Sequence, residues 1–167
     1  MPTHLVVLVS RGKPAGGAVL FCVALAVVGC RGKAPYEGKN AAQLEAMLRS
    51  DDPAAQAQGA YGLSRLEAEA RPAVPALIEA LKGKETLVRE RAALALGKVG
   101  PDARAAVPAL TDSLRGPEWT VRRQAALALG RIGREARAAA PALEKLSRDP
   151  DHLVSKAAQE ALRQVRK

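Results

Sequence analysis

"RAALALGKVG" at residues 91–100 returns as "QAALALGRIG" at residues 124–133, an offset of 33. Outward from this pair the same step keeps matching. "AVPAL" at 73–77 meets "AVPAL" at 106–110 and "AAPAL" at 139–143. "LVRE" at 87–90 meets "TVRR" at 120–123 and "LVSK" at 153–156. Leu44, Leu77, Leu110 and Leu143 form one series, and Leu63, Leu96, Leu129 and Leu162 another. Leu48, Leu81 and Leu114 form a third, which Leu146 continues one residue short. Asp52, Glu85, Glu118 and Asp151 keep an acidic series in step. Several residue classes held in register over four copies mark a tandem repeat, the feature that decides a fold before any other.

Each copy reads as two helices. Val107, Leu110 and Leu114 follow helical spacing and give a short first helix. Pro75, Pro108 and Pro141 stand at the front of the equivalent helices, where a missing N–H costs nothing. Breakers follow: "DP" at 52–53, "GP" at 116–117, "DP" at 149–150. The acidic series then opens the second helix, where a carboxylate suits the N-terminus. Val121, Ala125, Ala128, Leu129 and Ile132 make its apolar stripe, and Gly100 and Gly133 end it. The unit is helix, tight turn, helix, loop, with copies at 40–66, 72–99, 105–132 and 138–165. The chain is 48% apolar but only 2% aromatic. Ala, Leu and Val alone would shape a single compact core poorly, whereas thin units that pack only on their neighbours tolerate such a composition.

"AVPALIEALKGKETLVRERAALALGKVG" resembles the HEAT repeat, in the short form found in phycobilisome lyases. The AVPAL opening, the acidic-x-x-Val-Arg turn and the Ala-Leu-Gly close carry the likeness, over residues 40–167. It implies an all-α fold, a right-handed α-solenoid of four 33-residue hairpins whose second helices line the concave surface. The end copies depart from the pattern. Ala42 replaces the proline, and Gln56 and Ser155 replace Arg89 and Arg122. Such departures suit units that cap a stack. The resemblance also implies that this Arg pairs with the acidic residue of an adjacent repeat. Asp52–Arg89 and Glu85–Arg122 would form that ladder, with Glu118 in the same acidic series. Contact with a ligand is the other reading of these arginines.

The rows repeated on the second helices are the candidate partner-binding face. Tyr61, Leu94, Leu127 and Glu160 form one row, directed by helical phase away from the buried stripe. Arg65, Lys98, Arg131 and Gln164 follow four residues on, on the same face. Arg91 and Arg123 join the two rows. An apolar row beside a basic row suits an acidic peptide with apolar anchors. Leu as a good helix former is the plainer reading of the first row. Arg49, Lys82, Arg115 and Arg148 end the first helices, where cations favour the dipole. Arg71, Arg104 and Arg137 follow Glu69, Asp102 and Glu135 by two residues, so local neutralisation is expected. Trp119, the single tryptophan, falls in the turn before a second helix, as a cover for the repeat edge or an exposed anchor.

The first 29 residues read as a processing signal. "RGK" at 11–13 precedes the uncharged run "AGGAVLFCVALAVVG" at 15–29, short of the roughly 20 residues that span a bilayer. A basic region, a short apolar run and small residues at its end describe a secretory signal. Val27-Val28-Gly29-Cys30 resembles the bacterial lipobox. That resemblance implies diacylglyceryl transfer to the Cys30 thiol, cleavage before it and acylation of the new amino group. The apolar prelude "MPTHLVVLVS" is atypical and points to a start nearer Val9 or to a tolerated extension, and a retained membrane anchor, an ordinary cleaved signal or no signal are the other readings of the segment. Cleavage would remove two of 26 cations and none of 17 carboxylates, changing the net charge from +9 to +7. Arg31, where Asp favours inner-membrane retention, tilts the expected location to the outer membrane of a bacterial envelope. Residues 30–39 read as the acylated Cys and a short linker, and the ten residues "RGKAPYEGKN" at 31–40 extend at most about 35 Å.

Catalytic chemistry is sparse. Cys22 and Cys30 leave the repeats without a thiol, which excludes a Cys-ligated zinc site there. His4 and His152 are the only histidines, and no His-Glu dipeptide exists, so the iron-binding pairs of the HEAT-like deoxyhypusine hydroxylases have no counterpart. Nothing marks a bilin site, and no cofactor or metal is expected. Nucleic-acid binding draws on the positive charge, but three aromatics beyond Cys30 are few for base stacking. The expectation is therefore a non-catalytic, membrane-tethered scaffold for a protein or peptide, acidic by charge. A nucleic-acid-binding protein or a lyase- or hydroxylase-related enzyme is the alternative.

Overall fold

A computed structural model describes residues 33–167, and Cys30 with the signal-like stretch lies outside them. Residues 33–167 form one compact unit. Eight α-helices are described, in four hairpins: α1 (Ala41–Leu48) with α2 (Pro53–Leu66), α3 (Val74–Leu81) with α4 (Thr86–Val99), α5 (Val107–Ser113) with α6 (Trp119–Ile132), and α7 (Ala140–Leu146) with α8 (His152–Val165). The fold is an α-solenoid.

Local chemistry explains the element ends. Asn40 accepts from the Gln43 N–H while the Gln43 side chain accepts from the Asn40 N–H, a capping box that starts α1. Proline occupies the first turn of α3, α5 and α7. Gly100 and Gly133 close α4 and α6 with φ of 72° and 70°, values a side chain resists. The connections between repeats are not loops but 3₁₀ turns, at Glu67–Ala73, Gly100–Ala106 and Gly133–Ala139. In such a turn side chains three apart eclipse. That spacing buries Ala70 with Ala73, Ala103 with Ala106, and Ala136 with Ala139.

All three leucine series are buried. They fill one continuous core between first and second helices. The second helices pack closely on one another, while neighbouring first helices barely touch. Small residues set that asymmetry. A methyl group on Gly97 would stand 2.9 Å from Ala128 Cα, and one on Gly130 would stand 3.0 Å from Ala161 Cα. Close second helices and splayed first helices curve the stack, with second helices on the inner side. The splay leaves a groove between each pair of first helices. The widest, between α3 and α5, encloses about 640 Å³ over Ile78, Leu81, Ala109 and Val121.

The N-terminal segment departs from the linker reading. Tyr36 packs edge-on against Tyr61, with ring centroids 5.0 Å apart. Gly62 admits it, since a Cβ there would meet Tyr36 Cβ at 2.8 Å. An aromatic ring beside an exposed helix face buries apolar area that a free linker would leave in water. So residues 33–39 belong to the folded unit.

Candidate partner-binding face

Ion pairs hold the inner repeats together, but in the direction opposite to the expected ladder. Arg89 pairs with Glu118 at 2.8 Å, not with Asp52. Arg122 pairs with Asp149 at 2.9 Å, not with Glu85. Each arginine reaches forward to the next repeat. Its guanidinium also caps its own turn. Arg89 donates to the carbonyls of Gly83 and Lys84 and to Thr86 Oγ1. Arg122 donates to the carbonyls of Gly116 and Pro117. Asp52 is unavailable for a ladder because its carboxylate accepts from the Ala54 and Ala55 N–H groups at the start of α2. Glu85 faces the groove that Gln56 also lines, and Gln56 carries no charge.

Asp149 was missed because the register pointed to Asp151. Asp151 caps α8 through the Leu153 and Val154 N–H groups. Its neighbour two residues back is left to meet Arg122. Asp149 is 8% exposed and Arg122 15%. Burial pushes the Asp149 carboxyl up. The Arg122 hydrogen bond, the Asp151 N–H and the Arg122 charge together outweigh it and hold the carboxyl below its ordinary value.

On the inner face, Leu94 and Leu127 are half-buried and Glu160 is exposed. Leu127 leans on the core. Lys98 and Arg131 stand exposed one turn further on, so an apolar and a basic row do run side by side across α4 and α6. Arg123 is half-buried beside them. Lys98 makes an exposed pair with Glu67 at 3.1 Å. The first repeat differs. Tyr61 is flanked by Tyr36, and the Arg91 guanidinium lies 5.1 Å from the Tyr61 ring centroid, a cation–π contact. Arg91 also donates to the Ala57 carbonyl at 3.2 Å. Arg65 lines the small cleft beside Tyr36. Tyr61 and Arg65 are thus engaged with the N-terminal segment and Arg91 with α2, and the open part of the face is Leu94, Lys98, Arg123, Leu127 and Arg131.

Trp119 stands apart from that face. It is 43% exposed at the first position of α6. Eight residues of helix, about 12 Å, separate it from Leu127. It belongs with exposed Leu87 and Leu153 to the edge where the turns within repeats lie. Tyr36 is the contact the sequence reading missed. A lone aromatic in a supposed linker was the available signal.

A family model for HEAT repeats matches residues 40–118 and 74–163. Among curated proteins none matches the sequence. Solved structures do. The crystal structure of an engineered protein is 27% identical over 75% of this chain and 62% of that one, with a TM-score of 0.66. This chain therefore spans about six-tenths of its length. The complex of CpcE and CpcF of phycocyanin lyase from Nostoc sp. PCC7120 is 25% identical over 76% of this chain and 65% of that one, with a TM-score of 0.55. A designed armadillo repeat protein in complex with the peptide (KR)4 is 18% identical over 73% of this chain and 62% of that one. Its TM-score of 0.65 speaks to fold alone. With the repeat model covering most of the chain and the hairpins stacked as described, this protein belongs to the HEAT-repeat family.

Proposed function

We propose that the chain is a non-catalytic adaptor, tethered to the bacterial envelope through Cys30, that holds an extended acidic protein segment on its second-helix face. The observation that carries this reading is the half-buried pair Leu94 and Leu127 beside exposed Lys98 and Arg131. Apolar side chains left partly in water beside cations suit a strand or loop that alternates carboxylates with apolar anchors. The designed armadillo neighbour holds a basic peptide. A cationic face calls for the opposite charge, which steers encounter as well as affinity. The likeness to the phycocyanin lyase complex is one of the hairpin fold, and the adaptor reading assigns the second-helix face to binding.

The full chain in detergent, titrated with a labelled peptide of alternating Glu and Leu, tests the face. Changing Leu94 and Leu127 to Glu is expected to weaken binding by at least about tenfold, and added salt should weaken it further. Equal binding of a Lys–Leu peptide, or unchanged binding by the variant, would sink the reading. Preference for a single-stranded DNA oligonucleotide would favour nucleic acid instead. The tether is tested separately by intact mass from bacterial membranes. A mass beginning at Cys30 with acyl chains, lost on Cys30→Ser, supports it. An unacylated full-length mass removes it.

A further inference from the structure

The two long edges of the solenoid differ in charge. The connections between repeats, with the ends of the second helices, form one edge at residues 65–73, 98–106 and 131–139. These hold seven cations against four carboxylates. The turns within repeats form the other edge, at 49–52, 82–86, 115–119 and 148–152. These hold five cations against six carboxylates. The three 3₁₀ connections stack on one another, so the positive edge is continuous. Arg71, Arg104, Arg131 and Arg137 are exposed along it. Glu67 pairs with Lys98 at 3.1 Å on this edge, between exposed side chains, and three cations remain in excess. Arg71 reaches Asp102 only at 4.0 Å, between side chains 70% and 52% exposed.

The N-terminal segment arrives at this same edge. Tyr36 to Lys39 line a cleft with Arg65 and Leu66, at the end of α2. Lys33 follows Cys30 by three residues, a reach of at most about 11 Å. A 14-residue second helix is about 21 Å long. A chain anchored at Cys30 holds the connection edge within reach of the bilayer and the turn edge a helix length further out.

We propose that the connection edge rests on an anionic phospholipid surface, so that the solenoid stands on the membrane with its turn edge and Trp119 directed away. This rests on the tether in the proposed function, and Lys98 and Arg131, which supply part of the edge's excess charge, also border the acidic-peptide face. Basic side chains near an anionic leaflet are attracted within a Debye length, and a short tether keeps them inside that distance. The second-helix face then lies across the membrane normal, open to a partner from the side.

The test uses the acylated protein purified from bacterial membranes, in which the lipid blocks the Cys30 thiol and Cys22 has left with the signal, reconstituted into phosphatidylcholine vesicles with or without a third of phosphatidylglycerol. A fluorophore is placed at Ala105→Cys or at Lys84→Cys, both exposed, on opposite edges. Energy transfer to a headgroup-attached acceptor reports their heights. On anionic vesicles Ala105 is expected to transfer more strongly than Lys84, consistent with a height difference of about 20 Å. The difference should shrink on neutral vesicles, in high salt, and when Arg71, Arg104 and Arg137 are changed to Glu. Equal transfer from both positions on anionic vesicles, or stronger transfer from Lys84, overturns the proposal. Loss of the Ala105 signal on adding a DNA oligonucleotide assigns the edge to nucleic acid and overturns it too. Peptide binding does not enter this readout, and intact mass reports the tether, so the failures are distinguishable.

Discussion

The inner repeats and the end repeats solve one problem with different residues. Each turn between first and second helix leaves carbonyls that need a donor. Arg89 and Arg122 supply it in the inner repeats and have charge left to grip the next repeat. Gln56 donates to the Ser50 carbonyl in the first repeat, and Ser155 donates to the Ser147 carbonyl in the last. Both satisfy the turn, and neither carries a charge to a neighbour. The acidic series divides the same way. Asp52 and Asp151 are short enough to cap their own helices. Glu85 and Glu118 make no side-chain cap, and Glu118 meets Arg89 instead. A single register position thus serves turn closure everywhere and coupling only where a guanidinium stands.

Cutting the best-buried rung should show the largest effect. Arg122→Met leaves the Asp149 carboxylate unpaired in a site 8% exposed. The expected loss is about 3 kcal/mol in urea denaturation. Because solenoid stability is a sum over neighbours, the fourth repeat should melt first and broaden the transition. Arg49→Met, at an exposed pair with Glu45, should cost no more than about 0.5 kcal/mol. Equal costs would mean that burial does not distinguish the rung. Acid supplies a second probe. The Asp149 carboxyl is held below its ordinary value, so the unfolded chain binds its proton first as pH falls. The stability it contributes is present above the unfolded value of about 3.9 and is lost as pH falls through the folded value. Asp149→Asn should flatten stability against pH in that window.

Coupling also depends on how near the second helices lie. Gly97→Ala places a methyl 2.9 Å from the Ala128 backbone. It is expected to cost about 2 kcal/mol, because two packed helices must separate. Gly83→Ala, whose nearest atom is the Ala80 carbonyl at 3.2 Å within one turn, should cost clearly less in the same thermal melt. If the two melt alike, close approach between repeats is not what the inner glycines protect.

The four hairpins were legible in the sequence because each depends on residues that repeat: Leu at the core positions, proline at the helix start, glycine at its end. What repeated weakly was misread or missed. The ladder's direction was not legible, because Asp52 and Glu118 stand at the same register position one repeat to either side of Arg89, and the register does not choose between them. Only the three-dimensional stagger of neighbouring turns decides. Asp149 stood two residues outside the series, and Tyr36 had no counterpart in any other repeat. The inner-face rows were legible as phase, since helical spacing alone places Leu94 with Lys98. Trp119 was legible at the turn before a second helix, but its exposure was not, because the packing of neighbouring turns decides how much of the ring is covered.

The first repeat departs in its backbone too. Glu67 takes the place of Gly100 and Gly133 and adopts φ of 51° without being glycine. A side chain there costs on the order of 1–3 kcal/mol. Glu67→Gly is expected to raise stability by about 1 kcal/mol, although it removes the exposed pair with Lys98. A lowered melting temperature would show instead that the Glu67–Lys98 contact holds the first two repeats more strongly than its exposure suggests.

The smallest effect tests the register itself. No ion pair of the ladder type joins the first two repeats among the described residues, and Glu85 waits across the groove from Gln56. Gln56→Arg would place a guanidinium where Arg89 and Arg122 stand in their own repeats. Its donors can keep the Ser50 carbonyl that Gln56 now holds and reach forward to Glu85. The gain should be about 0.5 kcal/mol, because Glu85 is exposed and the pair would be screened. It should vanish in Gln56→Arg combined with Glu85→Gln, and it should fall with salt. A gain that survives both would come from turn closure alone. The coupling role of the arginine would then be confined to sites where its partner is buried, as Asp149 is.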